Sequence, residues 1–313
     1  MSARVALIAD AGSQAGLGHL ARCSGIALAL RCREVETSCY SYAAPGPQSV
    51  DGVCWHPFQS PGELSLPPST ELTLVDSYRL GLDQFEPLAR GSRLAVIRDH
   101  GPLLRQADLT IDPASPNGAR QAGQLLGLAY IPLRPAYWGL PPREPRETVS
   151  RVLVTTGSGV SPGAGGELAG MAQEALPGAQ VVLVVGPYAH PDAPSGVELV
   201  VAPASLLAEM MRADLVVSAA GQTMLEATAV GTPCVALVLF DNQQRNATLL
   251  EGLGAVRVVR SVGPELARAL RELAENTEAR RQMSQHGQAA VDGYGAHRIA
   301  FEIERLLLSS GAR

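Results

Sequence analysis

A histidine at the end of a glycine-rich turn is the feature of this sequence that most clearly suggests chemistry. The turn covers residues 10–23, DAGSQAGLGHLARC, and His19 stands where it passes into a run that predicts a helix. Gly12, Gly16 and Gly18 allow the backbone to take positive φ and to approach a ligand closely. The N–H groups and the dipole at a helix start favour an anion, and an imidazole titrates near neutral pH.

This spacing predicts an anion site with an acid–base group beside it. Gly16, Gly18 and Arg22 are its predicted substrate-binding residues, and His19 is its candidate general base. A histidine at a helix start that makes only a structural hydrogen bond remains the alternative.

A second turn of small residues precedes a helix in the other half of the chain, at residues 218–226, SAAGQTMLE. Gly221, Gln222 and Thr223 stand at the helix start, which favours an anion. The Glu226 carboxylate follows about one turn later and can accept hydrogen bonds from a ribose diol. A helix with an N-terminal threonine and a favourable acid in its first turn is the simpler interpretation.

A dense polar segment, DNQQRNA at residues 241–247, follows the next apolar strand. Side-chain amides at a strand end suit recognition of sugar hydroxyls or of the edge of a base. Asn242, Gln243, Gln244 and Asn246 are therefore predicted to contact a substrate. Exposed polar residues around an ordinary helix cap are the alternative.

Alternating strand and helix patterns predict the elements that position these turns. Predicted strands of the first half cover residues 5–9, 35–42, 53–55, 72–75, 93–97 and 108–111, with helices over 20–30 and 84–89. The second half has predicted strands over 152–154, 181–185, 197–201, 215–217 and 234–239, and helices over 165–176, 263–286 and 298–308.

A proline- and arginine-rich segment at residues 132–147 is typical of a linker. The predicted fold class is therefore α/β, with two doubly wound Rossmann-like domains facing a cleft. Residues 1–145 form the first domain and residues 146–313 the nucleotide-binding second domain, whose last helix can pack back on the first. We expect the ligand between the two, beyond the carboxyl ends of the strands.

Composition excludes several classes of function. The net charge of −5, without a basic block, argues against nucleic acid as a partner. Five cysteines without a CxxC pair argue against a disulfide framework or structural zinc. We find neither a signal peptide nor a uniformly apolar run of membrane-spanning length. The expected location is the cytoplasm, without stable membrane association, and the oligomeric state is not predicted.

Four segments, GLGHLARC, VDSY, SAAGQTMLEATAVGTP and DNQQRNA, together resemble a known family. It comprises the nucleotide-sugar hydrolases of nonulosonic (pseudaminic) acid biosynthesis, of the UDP-2,4-diacetamido-2,4,6-trideoxy-β-L-altropyranose hydrolase and spore-coat polysaccharide type. These enzymes are similar in fold to the MurG-like GT-B glycosyltransferases. The resemblance extends through most of the chain. It implies that His19 is the catalytic histidine, Tyr78 the tyrosine beside the reacting sugar, and Glu226 the ribose-binding acid.

The reaction that the resemblance implies is cleavage of a UDP-activated amino-deoxy sugar at its anomeric carbon, which releases UDP and the free sugar with inversion. His19 takes the proton from water, while Tyr78, with Asp76 behind it, orients the water or the sugar. Gly157 and Ser158, in the turn TTGSG, hold the departing diphosphate, although the family usually has one more glycine and an acid there.

No cofactor and no metal ion are expected in this reaction. Two alternatives remain open from the sequence. One is a GT-B glycosyltransferase that uses a UDP-sugar donor, and the other is a non-catalytic protein that binds a nucleotide-sugar.

Overall fold

A computed structural model of the protein describes residues 4–12, 15–42, 49–81, 84, 89–98, 107–116, 122–157, 163–188 and 192–309. The chain divides into two compact units. Unit 1 contains Met1–Trp138 and Gly293–Arg313, and unit 2 contains Gly139–Asp292. Among the described residues, no helix combines the length and the apolar character that a membrane crossing requires.

The elements before residue 139 are listed here in chain order. They are β1 (Arg4–Asp10), α1 (Gly18–Arg31), β2 (Glu36–Tyr42), β3 (Ser49–Val50), β4 (Val53–Cys54), β5 (His56–Phe58), β6 (Leu72–Asp76), β7 (Arg93–Ile97), β8 (Leu109–Asp112) and β9 (Gln124–Leu126). Short 3₁₀ turns cover Pro61–Glu63, Leu128–Tyr130 and Pro135–Tyr137.

The remaining elements follow in the same order. They are β10 (Arg151–Thr155), α2 (Ala164–Ala175), β11 (Gln180–Val185), β12 (Glu198–Val201), α3 (Leu207–Arg212), β13 (Leu215–Ala219), α4 (Gln222–Val230), β14 (Cys234–Leu237), α5 (Asp241–Gly252), β15 (Arg257–Val259), α6 (Pro264–Glu275), α7 (Thr277–Ala290) and α8 (Gly295–Leu308).

The sheet of unit 1 has seven parallel strands in the order β5-β2-β1-β6-β7-β8-β9. Alternate residues of β1 pack on opposite faces: Leu7 joins a core that includes α1 and α8, whereas Ile8 packs with Val75 on the other face. Because both faces are covered, the strand is a continuous apolar run rather than an alternating one. This is why the sequence pattern predicted it.

Helix α8 packs against α1 and contributes Ile299 and Ile303 to the core of unit 1. The chain near Ile131 runs close to both helices. A Cβ atom on Gly25 would overlap the carbonyl of Leu133, and one on Gly295 would overlap that of Ile131. The last helix therefore belongs to unit 1. The sequence counted it in the second domain, residues 146–313, and expected that it could pack back on the first.

The sheet of unit 2 has six parallel strands in the order β12-β11-β10-β13-β14-β15. Residues 139–147 of the segment interpreted as a linker belong to unit 2. Arg143 donates to the carbonyls of Met210 and Ala213, at 3.0 and 2.5 Å, and to Thr232 Oγ1 at 2.9 Å. These contacts attach the segment to unit 2, so the structural division lies before the predicted boundary after residue 145.

The helix predicted over residues 263–286 is two helices, α6 and α7. They separate at Asn276, whose Oδ1 accepts a hydrogen bond from Ala279 N at 2.9 Å and caps α7. Strands β9 and β15, of three residues each, were not predicted. Most of the helix predicted over 84–89 lies outside the described residues.

Candidate functional site

The site in unit 1 lies where the strand order changes direction. The chain begins with β1 in the middle of the sheet, adds β2 on one side and later β6 on the other. Loops at such a point leave the carboxyl ends of the two strands in opposite directions and open a crevice, where ligands of α/β proteins bind. Asp10 ends β1 and Asp76 ends β6, so both carboxylates lie at this position.

Helix α1 directs three side chains at the Asp76 carboxylate. His19 Nδ1 lies 2.8 Å from Asp76 Oδ1. Arg22 donates from Nε to Oδ2 at 2.6 Å and from Nη2 to Oδ1 at 2.5 Å, and the Cys23 thiol donates to Oδ2 at 3.4 Å. Residues three and four apart share one helix face, which explains why one turn of α1 supplies every one of these donors.

The Asp76 carboxylate is fully buried. Burial by itself raises the pKa of a carboxyl group, but the charge of Arg22 and the hydrogen bonds from Arg22 and His19 hold the pKa of Asp76 well below its ordinary value. The group is therefore ionised at neutral pH and acts only as an acceptor.

An ionised acceptor fixes the tautomer of His19. Nδ1 must carry the proton that faces Asp76, which leaves the lone pair of the neutral ring on Nε2. No hydrogen bond to Nε2 occurs among the described residues. Only 6% of His19 is exposed. The arrangement is that of a general base whose orientation is set by a carboxylate.

Tyr78 stands beside this base, in the turn after β6. Its ring meets the His19 imidazole edge-on, with centroids 4.5 Å apart and planes at 81°. Asp10 holds the turn: its Oδ1 accepts the Ser77 hydroxyl at 2.6 Å and its Oδ2 accepts Tyr78 N at 2.7 Å. Burial raises the pKa of Asp10, although both hydrogen bonds oppose that shift. The three predicted catalytic residues, His19, Asp76 and Tyr78, are thus brought together.

Two of the three glycines in the glycine-rich turn have the positive φ that the sequence predicted, whereas Gly18 is helical. Gly12 and Gly16 have φ of 105° and 70°, and Gly16 N donates to Gly12 O at 2.8 Å. Gly18 is the first residue of α1, which has neither a side-chain cap nor an acid in its first turn. The helix start therefore keeps the partial positive charge that favours an anion.

Unit 2 has its own change of strand direction, at β10 and β13. Gly157 follows β10 with φ of 85°, and a Cβ placed on it would lie 3.7 Å from Thr223 Oγ1 at the start of α4. A Cβ on Gly221 would lie 3.5 Å from Gln243 Nε2, on α5. The turns after β10, β13 and β14 therefore converge and bring four predicted residues together.

The other predicted residues of unit 2 are placed differently from one another. Asn246 is 8% exposed, and in the part of the chain that the structure describes its Oδ1 has no hydrogen-bond partner. Glu226 is buried on α4, and Gln222 and Asn242 are half-buried. Gln244 is exposed and donates to Thr248 Oγ1 at 2.9 Å on its own helix. Ser158 lies outside the described residues.

Sequence reasoning missed two residues next to these sites. The thiol of Cys23 contacts Asp76, and the i, i+4 spacing from His19 was the available signal. Phe240 is 55% exposed directly before α5, beside Gln243, and its place between an apolar strand and a polar segment was the signal there. Among the described residues, no group of three or more His, Cys, Asp or Glu side chains is arranged to hold a metal ion.

Comparison with known proteins gives a family match in the second half of the chain and structural matches over its full length. Residues 194–295 match the model of the glycosyltransferase family 28 C-terminal domain. No curated protein matches the chain in sequence. Similar solved structures cover the whole molecule, and three of them are described next.

MurG of Acinetobacter baumannii is 16% identical, with a TM-score of 0.64 over 97% of this chain and 100% of its own. The Streptomyces sp. SF2575 glycosyltransferase SsfS6, in complex with thymidine diphosphate, is 18% identical, with a TM-score of 0.64 over 97% and 99%. The calicheamicin glycosyltransferase CalG4 is 16% identical, with a TM-score of 0.67 over 100% of both chains. The predicted fold class, two Rossmann-like α/β domains of the GT-B type, is confirmed.

Proposed function

We propose that this protein is a glycosyltransferase that takes a sugar from a nucleoside-diphosphate donor, with His19 as the general base. The observation that carries the proposal is the match of residues 194–295 to the glycosyltransferase family 28 C-terminal domain. This range contains α4 and α5 and the predicted substrate residues of unit 2 other than Gly157 and Ser158. The named structural relatives are glycosyltransferases as well, which favours transfer over the hydrolysis that the sequence suggested.

Unit 2 is assigned the donor. The start of α4 offers N–H groups to a diphosphate, and Gly157, with φ of 85°, lies next to Thr223 at that helix start. SsfS6 has been solved with thymidine diphosphate, which supports a nucleoside diphosphate as the leaving group. Uridine diphosphate is the nucleotide that the sequence resemblance implies. The buried Oδ1 of Asn246 can accept a hydrogen bond from a hydroxyl or N–H group of the sugar.

Unit 1 is assigned the proton transfer. Nε2 of His19 removes the proton of an acceptor hydroxyl while its oxygen forms a bond to the anomeric carbon. The bond from that carbon to the diphosphate breaks in the same displacement, so the configuration inverts. Asp76 keeps the imidazole oriented through Nδ1 at 2.8 Å. A general base contributes about 10²- to 10⁴-fold to the rate, and oriented N–H groups stabilise the departing charge.

Hydrolysis is the second candidate. The observation that favours it is the His19 motif GLGHLARC, which resembles the hydrolases of nonulosonic acid biosynthesis. The same base can remove a proton from water, in which case UDP and an amino-deoxy sugar are the products.

The test is release of nucleoside diphosphate, followed by ³¹P NMR. The protein is incubated with a panel of UDP- and TDP-sugars, with and without a mixture of hydroxyl acceptors. Release that requires an acceptor supports transfer, and release without one supports hydrolysis. Binding without release supports a non-catalytic nucleotide-sugar-binding protein. If no nucleotide-sugar of the panel binds, all three functions are contradicted.

Two variants make the test specific to the base. His19→Ala should lower the rate by about 10²- to 10⁴-fold while donor binding persists. His56→Ala, an exposed histidine of the same unit on β5, is the matched control and should retain the wild-type rate.

A further inference from the structure

Phe240 is an aromatic side chain that unit 2 leaves in contact with solvent, next to the predicted substrate residues of α5. Its exposed fraction is 55%, although a phenylalanine is usually buried. It stands between β14 and α5 with an extended backbone, φ −139° and ψ 149°. Successive side chains of an extended segment lie on opposite sides, so Leu239 packs against the core of unit 2 and Phe240 lies outside it.

Gln243 holds the backbone on both sides of this ring. Its Oε1 accepts a hydrogen bond from Leu239 N at 2.9 Å, and its own N donates to Phe240 O at 3.0 Å. These two bonds close the first turn of α5 around Phe240. The exposed ring is therefore carried by a backbone whose conformation the helix start fixes.

The turn that carries Phe240 lies beside the start of α4, to which the proposed function assigns the donor diphosphate. Strand β14 pairs with β13 in parallel, with Leu237 opposite Ala219, so the turns after both strands lie at one edge of the sheet. Gln243 Nε2 would lie 3.5 Å from a Cβ on Gly221, the residue directly before α4. A group bonded to a diphosphate at α4 can therefore reach the start of α5.

A buried polar atom lies on the same helix as this turn. Among the described residues, Asn246 Oδ1 has no hydrogen-bond partner, and only 8% of the residue is exposed. Asn246 and Gln243 are three residues apart, so they share the face of α5 that meets the start of α4. A buried acceptor requires a hydroxyl or N–H donor. The start of α5 thus offers an apolar ring and a buried acceptor together.

A sugar matches both of these features. Its hydroxyl groups donate hydrogen bonds, whereas the C–H groups on its ring faces are apolar and can cover an aromatic side chain. A phosphate has no apolar face. A nucleobase has one, but the ribose separates it from the diphosphate, and Glu226, about one turn into α4, is the residue predicted to bind that ribose.

We infer that Phe240 is a specificity-determining residue for the donor, whose ring contacts the apolar C–H face of the sugar to be transferred. Asn246 Oδ1 accepts a hydrogen bond from the same sugar. The inference rests on the proposed function, because it requires a nucleotide-sugar in unit 2. It adds that the protein recognises the sugar itself, so a nucleoside diphosphate without a sugar gains nothing from Phe240.

The test is isothermal titration calorimetry that compares each nucleotide-sugar with its own nucleotide. The probes are UDP, UDP-glucose, UDP-N-acetylglucosamine, TDP and TDP-glucose. In Phe240→Ala the Kd of the nucleotide-sugar that wild type binds most tightly should rise by about 3- to 10-fold, the effect of losing roughly 25–50 Å² of apolar contact. The Kd of UDP and of TDP should stay unchanged. Phe240→Tyr keeps the ring and should resemble wild type.

Leu253→Ala is the matched control, because it removes an apolar side chain of similar exposure, 47%, directly after the other end of α5. It should leave every Kd at the wild-type value. Saturation-transfer NMR reads the contact directly, in deuterated protein with protonated phenylalanine. Irradiation of the phenylalanine rings should transfer to C–H protons of the sugar in wild type and in Leu253→Ala, but not in Phe240→Ala.

Equal losses of affinity for nucleotide and nucleotide-sugar would show that Phe240 meets the base or the ribose. Unchanged affinity for every probe would show that it meets no part of the donor. Either result, or a wild type without saturation transfer to the sugar, overturns the inference, while nucleotide release that requires an acceptor still supports the proposed function. A wild type that binds none of the probes contradicts the proposed function, and the inference fails with it.

Discussion

The ring of Tyr78 stands edge-on to the imidazole of His19, with their centroids 4.5 Å apart and their planes at 81°. The two residues are far apart in the sequence and meet because Asp10 holds the turn after β6 by its contacts to Ser77 and to Tyr78 N. Tyr78 remains 39% exposed. The ring thus limits the rotation of the base and still faces solvent.

Two substitutions of Tyr78 should distinguish the contribution of its ring contact to activity from that of its hydroxyl. Tyr78→Phe keeps the edge contact and should retain most of kcat/KM. Tyr78→Ala should lose about 2- to 10-fold, since an aromatic pair is worth about 0.5–1.5 kcal/mol. Steady-state kinetics measure kcat/KM of both variants with the sugar donor that the nucleotide-release test identifies. Tyr294→Ala, which removes another exposed tyrosine, is the control. Equal losses in Phe and Ala would mean that the hydroxyl acts and that the ring contact does not.

Asn246 has a buried acceptor atom that the described protein does not satisfy. We expect Asn246→Ala to raise the KM for the donor by about 2- to 10-fold, the loss of one hydrogen bond of about 0.5–1.5 kcal/mol. Gln282→Ala removes an exposed amide on α7 and serves as the control. An unchanged KM together with a gain in stability would show that the orphaned oxygen meets no ligand.

The stability of the protein should depend on the charge of Asp76. Its pKa is lower in the folded state than in the unfolded state, so its contribution is present above the ordinary carboxyl value, about 3.9, and is lost as the pH falls below it. Asp76→Asn should therefore be less stable than wild type at pH 7, by a margin that shrinks toward pH 3. Urea unfolding at four pH values from 7 to 3 measures this margin. A margin that is constant over this range contradicts the linkage.

Arg280 attaches the segment before β10 to unit 2. It is fully buried and donates to the carbonyls of Leu273, Ala274, Arg146 and Glu147 at 2.6–2.9 Å. Arg280→Met should lower the free energy of unfolding by about 3–5 kcal/mol, because several buried acceptors lose their donor at once. The adjacent Arg281→Met removes an exposed ion pair with Glu278 and should leave the free energy of unfolding nearly unchanged. Similar values for both variants in urea unfolding would refute this role.

The sequence by itself determined the alternation of strands and helices and the position of the chemistry-bearing turns. Strands such as β1 are buried on both faces, so they appear as short apolar runs, and Gly12 and Gly16 appear where the backbone needs a positive φ. The positions of His19 and Arg22 on the helix after the turn were also predicted, whereas Cys23, on the same helix face, was missed. These features are local, because each depends only on the periodicity and steric requirements of a single element.

Only the tertiary structure decided what these elements contact. Arg22 reaches Asp76, 54 residues away, because β6 lies next to β1 in the sheet, and α8 joins unit 1 because the chain packs closely at Gly25 and Gly295. A local sequence pattern indicates that one face of a helix or strand is buried, but it does not indicate which other element covers that face. Strand order and close backbone approach set those partners, and they arise only when the whole unit packs.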